Sequence, residues 1–176
     1  MVQWTQKEAS LLQDLKGQEQ LCVEKYNEYA QRAHDPELKN LLQTIGETEV
    51  GHLKTLSDML NGQIPQQQGQ QQQQGQSQQG QGQQGQQQQQ QGCSCQQRVP
   101  DPGQRAQPLT VDMQQDAYLC KDLLADEKYV SSSYNTSIFE FASPQARQVL
   151  NGIQSAEQQH GEQLYAYMAR HGMYNA

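Results

Sequence analysis

Leu38-Lys-Asn-Leu-Leu42-Gln-Thr-Ile45-Gly-Glu-Thr-Glu49-Val-Gly-His52-Leu-Lys-Thr-Leu56 carries the decisive pattern of this chain. Leu38, Leu42, Ile45, Leu56 and Met59 fall at alternating three- and four-residue steps, the inward seam of a packed helix. Two of the seam positions, 49 and 52, hold Glu and His. Asp35-Pro36 just before the run offers an N-cap followed by Pro at the first helical position, and Asn61-Gly62 closes it. Upstream, Leu12, Leu15, Glu19, Cys22, Tyr26, Tyr29 and Ala33 form a second seam with the same spacing. Thr5-x-x-Glu8 is a candidate capping box at its start. The two seams joined at Asp35-Pro36 make a helical hairpin.

Shifting the sequence by 108 residues brings the same plan into register a second time. Thirteen identities align without a gap, among them Asp14/Asp122, Glu19/Glu127, Tyr26/Tyr134, Pro36/Pro144, Glu49/Glu157, His52/His160 and Leu56/Leu164. The third helix is expected to present Cys120, Leu123, Glu127, Val130, Tyr134, Ser137 and Phe141. The fourth, after Ser143-Pro144, is expected to present Ala146, Leu150, Ile153, Glu157, His160, Leu164 and Tyr167, with a stop at His171-Gly172. The predicted fold is all-α: a four-helix bundle of two duplicated hairpins, residues 1–61 and 111–176, joined by a long crossover over 62–110. Between Gln66 and Gln91, 20 of 26 positions are Gln and five are Gly, a composition for which we expect no regular structure.

Composition narrows the function classes. A net charge of −7, with 12 basic residues scattered among 19 acidic ones, argues against nucleic acid as the main partner. No apolar run approaches the ~18 residues of a spanning helix. The N-terminus lacks the basic and apolar regions of a secretion signal, so manufacture in the cytoplasm without ordinary export is expected. Four cysteines do not make a disulfide framework. Cys93-Ser-Cys95 lacks the two-residue spacer of a zinc knuckle, and exposed thiols able to cross-link chains are the preferred reading. Cys22 and Cys120 are expected to be small buried residues, and His34 and His171 to sit at helix ends.

The chemistry lies in the charged seam residues. Glu19, Glu49, His52, Glu127, Glu157 and His160 all point inward in mid-helix, where four ionised carboxylates would repel one another. Glu49-Val-Gly-His52 and Glu157-Gln-Gln-His160 place Glu and His one turn apart on one helix face. Together with a lone Glu from each of the other two helices, they form the donor set of a dinuclear carboxylate centre. Two metal ions, iron or manganese, are the expected cofactors, with Glu19 and Glu127 terminal and Glu49 and Glu157 bridging. A protonated, hydrogen-bonded core network without metal is the alternative. Tyr26 and Tyr134 lie two turns from Glu19 and Glu127. They are read as core aromatics with satisfied hydroxyls in preference to partners of the ligand carboxylates.

With these residues in view, the fold plan and the six-residue set resemble the ferritin-like superfamily, rubrerythrin-type proteins included. More specifically, Leu11-Leu-Gln-Asp-Leu-Lys-Gly-Gln-Glu-Gln-Leu-Cys-Val-Glu-Lys-Tyr26, Asp122-Leu-Leu-Ala-Asp-Glu-Lys-Tyr-Val-Ser-Ser-Ser-Tyr-Asn135 and Leu164-Tyr-Ala-Tyr-Met-Ala-Arg-His-Gly-Met-Tyr174 resemble the Coat F family of bacterial spore coat proteins. Met173 stands where that family commonly has Trp. The resemblance implies a structural component of the spore coat. Its partners would be other coat proteins or itself, through Gln–Lys or Cys93/Cys95 cross-links. The runner-up is a di-metal redox enzyme, a ferroxidase or peroxide scavenger. It would need an external electron donor, because the chain carries no Cys-rich iron domain.

Overall fold

The computed structural model describes residues 2–65 and 108–174. Four helices account for most of them: α1 Gln6–Arg32, α2 Pro36–Leu60, α3 Val111–Ile138 and α4 Pro144–Arg170. They pack as one four-helix bundle. The Gln-rich stretch and the thiols of Cys93 and Cys95 lie outside the described residues.

Each helix starts where its local chemistry requires. The Thr5 side chain accepts from the Glu8 N–H while the Glu8 carboxylate accepts from the Thr5 N–H, a complete capping box. Asp35 accepts from the Glu37 N–H at 2.9 Å, and Ser143 and Thr110 cap α4 and α3 at 3.3 Å. Pro36 and Pro144 occupy the first turns, where no N–H is needed. Gly62 and Gly172 terminate α2 and α4 with φ of 76° and 67°, values that favour glycine. One expectation is corrected: α3 ends at Ile138, so Phe141 is not on the helix. It is buried in the turn that follows, edge-on to Trp4 with ring centroids 5.7 Å apart.

Contacts at the two ends define the topology. At one end Trp4 donates to the Met59 carbonyl and the Ala142 N–H donates to Glu8. At the other, the His34 and Asp35 N–H groups donate to Asp116, and Tyr167 donates to Asp35. Helix α1 therefore runs antiparallel to both α2 and α3, and α4 antiparallel to both α2 and α3. The C-terminus of α2 and the N-terminus of α3 lie at opposite ends, ~40 Å apart for helices of this length. Residues 61–110 have to cover that distance.

Apolar layers fill both ends of the core, with Leu12, Leu15, Leu56 and Leu150 on one side of the midplane and Leu38, Leu42, Leu123 and Leu164 among the fully buried side chains elsewhere. Between them the polar seam residues form a central layer. Gly46 brings α2 close to α1 beside this layer, since a Cβ there would stand 3.2 Å from the Tyr26 Cβ.

Candidate metal centre

All six seam residues converge at the bundle centre. Glu19, Glu49 and Glu157 are fully buried, Glu127 and His160 nearly so, and His52 is 9% exposed. Their donor atoms form two groups, each within a 4.8 Å sphere of mutual separations: Glu19, Glu49, His52 and Glu157, and Glu49, Glu127, Glu157 and His160. Glu49 and Glu157 belong to both groups. Each group combines three carboxylates with one imidazole and draws on both hairpins.

The imidazoles face the carboxylates through Nδ1. His52 Nδ1 lies 2.9 Å from Glu157 Oε1, 3.3 Å from Glu49 Oε2 and 3.6 Å from Glu19 Oε2. His160 Nδ1 lies 2.7 Å from Glu49 Oε1, 3.7 Å from Glu157 Oε2 and 3.8 Å from Glu127 Oε2. The two rings stack with centroids 5.8 Å apart. Despite the short distances, Glu19 Oε2, Glu49 Oε1, Glu127 Oε2, both Glu157 oxygens and His160 Nδ1 have no partner with hydrogen-bond geometry. Buried polar atoms are ordinarily satisfied, so this many orphans in one place need an explanation.

Electrostatics sort the carboxylates into two classes. Burial, reinforced by the charges of Glu157 and Glu49, pushes Glu19 above the usual carboxylate range although His52 works against it. Burial and the Glu157 charge do the same to Glu127. Glu49 and Glu157 also suffer burial, but the His160 and His52 imidazoles outweigh it and hold both below the usual range. Burial disfavours charge on His52 and His160, yet the surrounding carboxylates win and raise both. Without metal the core thus tends to neutrality: two carboxylic acids, two carboxylates and two imidazolium rings.

The outer contacts cross between hairpins. Tyr26 on α1 donates to Glu127 Oε1 on α3, and Tyr134 on α3 donates to Glu19 Oε1 on α1. The tyrosines are therefore buried partners of the ligand-type carboxylates, contrary to the plainer reading of the sequence. They serve the opposite hairpin, not the Glu two turns away on their own helix. Such contacts fix the orientation of a donor and leave its second oxygen free. Cys22 and Cys120 are buried, as expected, and neither joins a donor group. Burial first, then the nearby carboxylates, pushes both thiols up, so they stay protonated.

Asp116 escaped sequence reasoning altogether, and so, beyond its capping box, did the second role of Glu8. Glu8 and Asp116 are buried carboxylates, 4% and 2% exposed, at equivalent positions of the 108-residue repeat. Glu8 accepts from the Ala142 N–H, and Asp116 accepts from the His34 and Asp35 N–H groups, all at 2.9 Å. Each hairpin thus holds the inter-helix turn of the other. The signal was available, since both acids continue the inward seam one step before Leu12 and Cys120. A further cluster of Asp35, Glu37 and His171 at the bundle end has its oxygens engaged by Tyr167 and Arg170.

The donor set fits borderline transition ions. Mixed carboxylate and imidazole coordination suits Fe, Mn and Zn, and the shared Glu49 and Glu157 suit two ions better than one. Among the described residues, no helix is long and apolar enough to cross a membrane. Comparison with protein families matches residues 115–176 to the Coat F domain. Searches of curated proteins and of solved structures find no match.

Proposed function

We propose, on the premise that residues 115–176 are a Coat F domain, that this protein is a structural component of the spore coat whose bundle holds a dinuclear metal centre. Glu19 and His52 would hold one ion and Glu127 and His160 the other, with Glu49 and Glu157 shared. The observation that carries the metal reading is the convergence of four buried carboxylates and two imidazoles into two donor groups that share Glu49 and Glu157, with six of their buried polar atoms lacking a partner in hydrogen-bond geometry. Such ions would supply positive charge to four carboxylates and, if iron or manganese, the capacity for redox chemistry. Tyr26 and Tyr134 orient Glu127 and Glu19, and the surrounding Leu layers keep bulk water from the donors. Metal would also rigidify the bundle, because its donors come from all four helices.

Metal analysis of protein prepared with iron or manganese tests the centre. Two equivalents are expected, falling on Glu157→Ala, a change that removes a donor from both groups. Metal-free protein with unaltered stability after such preparation would sink the dinuclear reading. Probing extracted spore coats for the protein tests location, and its absence from that fraction would overturn the coat role.

A further inference from the structure

The contacts that hold the two hairpins together have a property that points to a partner. They are reciprocal: Tyr26 to Glu127 is matched by Tyr134 to Glu19, and Glu8 to the Ala142 N–H by Asp116 to the His34 N–H. Both donor groups of the central layer likewise take residues from each hairpin. On the flank, Lys25 pairs with Asp122 at 2.6 Å and with Asp126, and Tyr29 donates to Asp122 at 2.7 Å. Every one of these contacts joins residues at least 81 positions apart, and all of them lie within the described helices and turns. Nothing in the docking surface depends on which chain supplies the second hairpin.

The topology leaves that choice open. Residues 61–110 must already cross the ~40 Å length of the bundle, and at about 3.5 Å per extended residue their reach is several times that distance. A connector of this reach is long enough to join hairpins of two bundles as well as hairpins of one. The Coat F match covers residues 115–176, within the second hairpin, and the 108-residue repeat relates that hairpin to the first.

We infer that a second copy of this chain is a binding partner through hairpin exchange: hairpin 1 of one copy docks on hairpin 2 of another by the contacts seen within the bundle. Each exchanged bundle carries the complete six-residue layer, three donors from either chain. Dilute protein favours the closed single chain, because a tethered hairpin has an effective concentration of about a millimolar. Close packing of chains removes that advantage, and repeated exchange then links them head to tail. Only the relevance of such packing rests on the coat reading; the exchange itself does not.

Charge reversal across the flank tests this with full-length chains. Lys25→Glu places like charges against Asp122 and Asp126 within its own chain, and Asp122→Lys with Asp126→Lys places them against Lys25. Mixed in urea and refolded together, the two variants restore opposite charges only by exchanging hairpins. The expected product has twice the 19.9 kDa chain mass by native mass spectrometry, contains one of each variant, and melts above either variant refolded alone. If each variant alone fails to fold, helical circular dichroism recovered on mixing supports exchange. A mixture that remains single-chain particles melting as the separate variants do, or that recovers no helix, overturns it.

Discussion

Asp116→Ala should loosen the docking of the hairpins without touching the central layer. The Asp116 side chain is 2% exposed, and its two oxygens accept from the His34 and Asp35 N–H groups, each at 2.9 Å. Hydrogen bonds to a charged group contribute about 1.5–3 kcal/mol each, so the pair accounts for roughly 3–6 kcal/mol if both freed N–H groups stay dry. His34 is exposed and Asp35 half-buried, so water can reach the freed donors and recover part of that loss. The expected cost is about 2–4 kcal/mol, and Asp116→Asn, which keeps one acceptor, should fall between wild type and Ala. With an m-value of about 2 kcal/mol/M, the urea midpoint followed by circular dichroism moves down by roughly 1–2 M. Asp112→Ala is the control. Asp112 lies one turn earlier on α3, 68% exposed and 3.6 Å from the His34 ring, and its loss should cost under about 1 kcal/mol. An Asp116→Ala variant within about 0.5 kcal/mol of wild type, or indistinguishable from Asp112→Ala, would refute this role for Asp116.

Two further outcomes concern the central layer. Tyr26→Phe and Tyr134→Phe each free one ligand-type carboxylate from its orienting donor, so metal affinity measured by chelator competition should fall ~10–100-fold, by similar amounts for the two; unchanged affinity would mean the tyrosines are only packing. Metal-free protein should lose stability as pH rises from about 5 to 9 in urea titrations. Glu19 is raised from 4.5 to about 8, Glu127 from 4.5 to about 10, and His160 from 6.5 to about 9. Their contribution is complete below the unfolded values and lost as pH climbs through the folded ones. Glu49, lowered to about 2, acts in the opposite sense only below 4.5. A flat or rising profile across that window would contradict the charge assignment.

Most of the bundle was legible because burial imposes a period. Leu12, Leu15, Leu38, Leu42 and their repeat mates could face only one way, and the 108-residue register made the second hairpin a copy of the first. The convergence of the six polar seam residues was legible for the converse reason, since Glu or His at a seam position in each helix has to meet its counterparts in one buried layer. The tyrosine partners were not legible, because sequence spacing reports neighbours along one helix and Tyr26 meets Glu127 only through the antiparallel docking of α1 on α3. Glu8 and Asp116 continue the inward seams in spacing, so their burial was legible, but what they hold was not, because the turn backbone of the opposite hairpin carries no side-chain signature. Phe141 continued the seam of α3 in spacing, but the chain had already turned after Ile138.

The central claim is that Glu49 and Glu157 are shared by two ions, and electron paramagnetic resonance of protein titrated with Mn(II) addresses it most directly. Filling the two groups should replace the six-line signal of isolated ions with an exchange-coupled signal as loading approaches two equivalents. Glu157→Ala should abolish the coupling. Uncoupled six-line spectra at two equivalents, or saturation at one, would contradict the shared centre.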